Sequence, residues 1–272
     1  MSDPIELAAI DRGGGEPVAL VHGGVFHAAP AWSKQIGPIA EAGYRVVAVD
    51  RRGHGRSEAG DAPEVSVHLH ADDLRLTLEL RDISATHLVG VSYGALVCIE
   101  FALSWPERVS SLSLLEPPLF TWLAHEPEYK EWFDRFVEIA LEKNSTPLEE
   151  WLPKWLGLID SRMAKGLDPS SPSWPIVQKQ AHLVFEEEPG WRYEPDEERL
   201  YDSPVNTLVM NGDQSEPPMQ VIGQMLAERL PNASHLYIPG GGHDAHARTP
   251  ELFNQALIGF LDQNAKQEKG SE

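Results

Sequence analysis

Gly90-Val91-Ser92-Tyr93-Gly94 constrains this chain more than any other stretch. An apolar, strand-like run precedes it, Thr86-His87-Leu88-Val89, and a helical run from Ala95 to Ser104 follows. A serine between two glycines, at the point where a strand passes into a helix, predicts a tight turn that lifts the hydroxyl out of the chain. Ser92 is therefore a candidate nucleophile. It then needs a base to take its proton and donors to hold the charge that develops on a carbonyl oxygen.

A base is available late in the chain. Pro239-Gly240-Gly241-Gly242-His243-Asp244 follows a strand-like run, Ser234 to Ile238, and precedes a helical pattern from Thr249 to Leu261. A histidine on a glycine-rich loop just past a strand end can reach a neighbouring strand end, and a neutral imidazole there can take the Ser92 proton and return it to a leaving group. The donors are expected on His22-Gly23-Gly24-Val25, which ends the buried-strand run Val18 to Val21. The backbone N–H of Gly24, with that of Tyr93, is the candidate oxyanion hole. His22 itself reads as a residue that shapes the loop.

With these motifs and with Asp50-Arg51-Arg52-Gly53-His54-Gly55-Arg56-Ser57, the chain resembles the α/β-hydrolase fold enzymes. The Asp50–Ser57 segment resembles a structural turn of that family. The resemblance implies a mostly parallel central sheet flanked by helices, with a helical cap inserted after the strand that ends at Glu116. Residues 1–116 and 205–272 would then form the core domain and 117–204 the cap. The alternation of strand and helix patterns points the same way. Strands are expected at Ile5–Ile10, Val18–Val21, Val46–Val49, His87–Val91, Leu112–Leu115, Thr207–Met210 and His235–Ile238.

The acid of the triad is where the chain departs from the family. The usual position lies three residues past Gly212, and Ser215 stands there. Some members instead carry a glutamate at the end of the strand after the nucleophile helix, and Ser111-Leu112-Ser113-Leu114-Leu115-Glu116 supplies one. Glu116 is the first choice for accepting the other ring N–H of His243, fixing its tautomer. Asp213 and Glu216 are the alternatives.

The segment 117–204 holds six of the eight tryptophans, Trp122, Trp132, Trp151, Trp155, Trp174 and Trp191. Helical patterns run through Glu128–Glu142 and Leu148–Met163, with a break at Asp168-Pro169-Ser170-Ser171-Pro172. Most of these rings are expected to build the cap's own core, with one or two over the site. The segment carries 18 acidic and 9 basic residues, a net −9 that disfavours anionic substrates.

The whole chain carries −20, which excludes nucleic acid as a partner, and it has no basic helix for a membrane surface. No apolar run is long enough to span a bilayer. The start of the chain lacks a signal-peptide pattern. The single cysteine, Cys98, reads as a buried structural thiol. A cytoplasmic location is expected. No metal is expected: His68-Leu69-His70, near the start of an exposed helix, and His243 with His246 are short pairs without a third ligand in register. With neither a P-loop nor G-x-G-x-x-G, no cofactor is implied. The polar tail from Gln263 to Glu272 is expected to fray.

These features point to a hydrolase of esters or lactones of a small, largely apolar, neutral substrate, working through an acyl-enzyme. C–C bond or thioester hydrolysis on the same triad is the alternative chemistry. A small-molecule receptor on the same scaffold is the alternative class, distinguished by ligand stabilisation without turnover of simple esters.

Overall fold

The computed structural model describes residues 3–61, 65–170, 174–181, 183 and 192–265. Seven strands form one sheet among these residues: β1 Ala9–Gly13, β2 Pro17–Val21, β3 Arg45–Val49, β4 Thr86–Val91, β5 Val109–Leu115, β6 Thr207–Gly212 and β7 Ala233–Ile238. Their order is β1-β3-β2-β4-β5-β6-β7. Only β1 runs antiparallel; every other pair is parallel. Parallel neighbours need crossovers, which cover both faces with helices and leave the central strands apolar throughout. All six residues of β4 and of β6 are buried accordingly.

Alternation along the strands divides the core in two. Ala19, Val21, Val47, Val49, Leu88, Leu112 and Val209 face one side, with α1 (Val67–Glu79), α2 (Tyr93–Ser104) and α5 (Pro217–Arg229) packed on them. Val18, Leu20, Val46, Ala48, Val89, Leu208 and Met210 face the other, under the short helices Ala28–Ala31 and Ile36–Glu41 and the last helix, α6 (Pro250–Asn264). Cys98 lies buried within α2, where burial pushes its thiol pKa up. Among the described residues no helix is long and apolar enough to cross a membrane.

The first strand begins later than its apolar residues suggest. The N–H groups of Ile5 and Leu7 donate to the side chains of Asp73 and Thr77 on α1, at 2.8 Å each, and that of Ala8 to Ser57 Oγ. Those donors are thus withdrawn from the sheet, and the ladder with β3 forms over Ala9–Gly13, its last three residues exposed as an edge strand permits.

Between β5 and β6 the chain forms a helical insert. Its main helices are α3 (Lys130–Leu141) and α4 (Leu148–Ile159), with shorter ones at Ser161–Gly166, Trp174–Ala181 and Glu197–Tyr201. Trp132 stacks on Phe136 and Trp151 on Trp155, each pair four residues apart on one helix face with ring centroids 5.3 Å apart. Trp151 and Trp122 are buried; Trp155 is half-buried and packs on both the insert's cluster and the sheet's. Trp191 and Ser171-Pro172 lie outside the described residues, as does the tail from residue 266. Gln263 and Asn264, expected in the frayed tail, belong to α6.

Candidate active site

Parallel strands bring the loops that follow them to one edge of the sheet. His22–Val25 follows β2, Ser92 follows β4, Glu116 follows β5, Asp213–Ser215 follows β6 and Gly240–His243 follows β7. From β2 the chain moves outward to β3, and β4 then pairs with the opposite side of β2. Such a switch point leaves a crevice beyond the strand ends, where α/β sheets bind ligands. The His22 loop and Ser92 flank it.

Ser92 holds φ 53° and ψ −125°, a conformation an L-residue adopts only when its surroundings enforce it. Its N–H donates to Leu115 O at 2.9 Å and its carbonyl accepts from Ala95 N at 2.8 Å, so both the sheet and α2 grip the turn. The flanking glycines are needed for contact. A Cβ on Gly90 would sit 2.6 Å from Ala95 Cα, and one on Gly94 would sit 2.2 Å from Val21 O. The helix can start this close to β4 and β2 only without those atoms.

Glu116 is also in the left-handed region, at φ 50°. Its N–H donates to Met210 O at 3.1 Å, and its fully buried carboxylate is shared among three donors. Oε2 lies 2.9 Å from His243 Nδ1. Oε1 accepts from Gly212 N at 3.0 Å and from the Ser215 hydroxyl. A buried carboxylate needs such partners to remain charged. The serine at the family's usual acid position is thus a donor to the glutamate. Asp213 and Glu216 are turned to other tasks: Asp213 Oδ1 accepts from Gly240 N at 2.7 Å, and Glu216 Oε1 from Ser161 N at 3.3 Å. With Nδ1–H directed at Glu116, the second ring nitrogen of His243 is left as a proton acceptor.

The loop after β2 faces Ser92. A Cβ on Gly23 would lie 3.2 Å from Ser92 Cβ. His22 is buried and structural: Nε2 accepts from Arg51 N at 2.9 Å while Nδ1 bonds Gly23 O at 2.7 Å. Burial first, then the charge of Arg51 and the neighbouring His54, hold its pKa well below the ordinary value, so the ring is neutral. The Asp50–Ser57 turn is tied by a buried ion pair, Arg52 with Asp73 at 2.6 Å.

Three features escaped the sequence. Asp160, in the insert, accepts from His243 N with Oδ2 at 3.1 Å. Arg162 reaches Gln214 O at 3.2 Å and Gly241 O at 3.4 Å, so the insert is bonded to the loops after β6 and β7. The third is the setting of His70. The helix it starts was expected to be exposed, yet His70 is buried against Arg51 at 3.0 Å because α1 packs one face on the sheet. His68 does project outward and pairs with Glu100 at 2.8 Å.

The model of the alpha/beta hydrolase fold matches residues 16–248. The chain belongs to that family. Among its relatives is a 2-hydroxy-6-oxononadienedioate/2-hydroxy-6-oxononatrienedioate hydrolase of Comamonas testosteroni, 30% identical over 262 residues, 92% of this chain and 89% of that protein. Among solved structures, this alpha/beta hydrolase resembles Est816, an N-acyl homoserine lactone degrading enzyme, with 25% identity and a TM-score of 0.64 over 93% of this chain and 96% of that one. It also resembles a thermophilic esterase from Thermogutta terrifontis, with 25% identity and a TM-score of 0.66 over 96% and 94% of the two chains.

Proposed function

We propose that this alpha/beta hydrolase cleaves a carboxylic ester or lactone of a small, largely apolar, neutral molecule through a Ser92–His243–Glu116 triad. The observation that carries the reading is the 2.9 Å contact of His243 Nδ1 with the buried Glu116 carboxylate, on the same sheet edge as the strained Ser92. In the proposed reaction His243 takes the hydroxyl proton as Ser92 Oγ attacks the carbonyl carbon. The N–H groups of Gly24 and Tyr93 hold the tetrahedral oxyanion. Collapse breaks the C–O bond, and the imidazolium returns its proton to the departing alkoxide, which in a lactone stays attached. Water, deprotonated by His243, then releases the acid from the acyl-enzyme.

The insert, residues 117–204, acts as the cap. Val25 and Phe26, next to the proposed hole, pack with its apolar residues Trp151, Leu152 and Leu156, which favours an apolar substrate. The net charge of −20 favours a small neutral partner over nucleic acid or a membrane surface, and the single buried thiol suits the cytoplasm. The lactone- and ester-degrading neighbours support the bond type.

Labelling with a fluorophosphonate, followed by peptide mapping, tests the nucleophile. Modification at Ser92 is expected, and Ser92→Ala should abolish p-nitrophenyl ester turnover while melting as a folded protein. Wild-type turnover in that variant, or a label elsewhere, would sink the mechanism. The Comamonas relative favours a second reading, C–C bond hydrolysis on the same residues. A 2-hydroxy-6-oxo-dienoate turned over far faster than any ester or lactone would select it.

A further inference from the structure

We propose that Arg51 is a positioning residue that orients and polarises the oxyanion hole, acting on both amides assigned to it; the proposal rests on the serine-hydrolase reading above. Arg51 follows Asp50 at the end of β3 and is 1% exposed. Its neighbour Arg52 has an evident structural role, bonded twice to the buried Asp73 carboxylate. Arg51 points instead into the loop after β2. Its Nε donates to His22 O and its Nη2 to Gly23 O, both at 3.2 Å. The guanidinium lies 4.4 Å from the centre of the Tyr93 ring.

The hydrogen-bond directions follow from the chemistry of the groups. A guanidinium only donates, so His54 Nε2, at 3.1 Å from Nη2, and His70 Nε2, at 3.0 Å from Nη1, are acceptors. The His54 proton then sits on Nδ1 and is given to Arg52 O at 3.0 Å. His22 Nε2 accepts the Arg51 backbone N–H, so its proton also sits on Nδ1 and goes to Gly23 O. Gly23 O therefore accepts two hydrogen bonds, one from a cation.

Gly23 C=O and Gly24 N–H are the two ends of one peptide unit. Donors on the oxygen draw electron density through the amide and make its N–H a stronger donor, by about 10–30% per bond in condensed-phase estimates. Two bonds from different directions also fix the plane of the peptide, hence the direction of the Gly24 N–H. On the other side of the crevice the same guanidinium packs on the ring of Tyr93, whose N–H is the second proposed donor. One buried cation thus braces both.

The test compares wild type with Arg51→Met and Arg51→Lys. It reads kcat and KM on p-nitrophenyl butyrate, per site titrated with fluorophosphonate, and the Ki of phenylboronic acid, whose serine adduct is a tetrahedral anion. For Arg51→Met, kcat should fall about 10- to 100-fold, less than the 10²–10³ for deleting a donor. KM should stay within about threefold, and the boronate Ki should rise by a factor similar to the fall in kcat. A merely structural role would reduce the number of titratable sites and leave kcat per site and Ki unchanged; that result overturns the proposal. If Arg51→Met does not fold, Arg51→Lys decides. It keeps a charge but loses the fork that spans His22 O, Gly23 O and two imidazoles, so a smaller paired change in kcat and Ki is expected, and wild-type values overturn the proposal. Ser92→Ala in the same assays separates the two readings. If it keeps esterase activity the serine mechanism itself fails; if it is inactive while the Arg51 variants match wild type, only the role of Arg51 fails.

Discussion

Glu116 reaches His243 from two strands away. β5 and β7 are separated by β6, so a carboxylate leaving β5 must span roughly one more strand spacing, about 4.8 Å, than one leaving β6. A glutamate held at φ 50° at the strand end meets that requirement, and the space next to it is closed by Ser215 and the Gly212 N–H. Glu116→Gln should lower kcat on esters by about 10²–10⁴, the scale set by neutralising a triad acid, because an amide cannot balance an imidazolium. Asp213→Asn keeps a carbonyl for the Gly240 N–H and should change kcat by less than about threefold. Steady-state rates on one ester decide between them, and a larger loss in Asp213→Asn would reverse the assignment. At this scale the sequence marks candidates where a residue type has few uses, a serine between glycines, a histidine after three glycines and a glutamate ending an apolar strand, and the fold carries all three to one edge of the sheet. The sequence is opaque where partners come from distant loops. Ser215 reads as the absence of an acid, and nothing local marks it as the donor to Glu116. Arg51 reads as half of a repeated arginine, and only the fold separates its surroundings from those of Arg52.

Among the elements, the strands of the parallel sheet were readable because burial on both faces makes them continuous apolar runs. β1, at one edge, was not, since most of its residues face water and its start is set by side chains of α1. The insert shows a similar limit. Its apolar spacing predicts one helix over Leu148–Met163, but the chain turns extended at Asp160, φ −151° and ψ 104°, and restarts at Ser161. Asp160 Oδ1 accepts the N–H groups of Arg162 and Met163 at 2.8 and 3.0 Å, capping the new helix, while Oδ2 takes that of His243. A Cβ on Gly242 would lie 2.5 Å from that oxygen, so the glycine run before His243 is what lets the insert approach. Asp160→Ala should lose the cap, about 0.5–2 kcal/mol, and strand a buried amide, about 1–3 kcal/mol more. Chemical denaturation should show the loss, and kcat should fall about tenfold as the His243 loop loosens; Asp160→Asn, with one acceptor oxygen and an NH2 that only donates, should recover the cap and part of the stability but little of the kcat. An Asp160→Ala enzyme with wild-type kcat would mean that the insert does not help to hold the imidazole.

For the molecule as a whole, acid should act through buried imidazoles against a background of many carboxylates. His246 lies between Trp32 and Phe253, with ring centroids 5.3 and 6.1 Å away, and among the described residues its Nδ1 has no hydrogen-bond partner. Burial, opposed in part by Asp244, lowers its pKa from 6.5 to about 4. The unfolded chain therefore binds a proton there below pH 6.5 that the folded chain refuses until about pH 4. The stability this site contributes is complete above about 6.5 and drains away as pH falls toward 4, at up to about 1.4 kcal/mol per pH unit. His22 follows the same sign, its pKa lowered by burial and by Arg51. The net charge of −20 works the other way, because protonating carboxylates relieves self-repulsion, so the total pH profile mixes both effects. His246→Phe isolates one term: it keeps an aromatic ring between Trp32 and Phe253 and removes the titration. Urea unfolding of both proteins at pH 7.5 and 5.0 should show wild type losing about 1–2 kcal/mol more than the variant over that interval. Parallel losses would mean that His246 takes up its proton equally in the folded and unfolded chains, and that the aromatic cage around it is open to water.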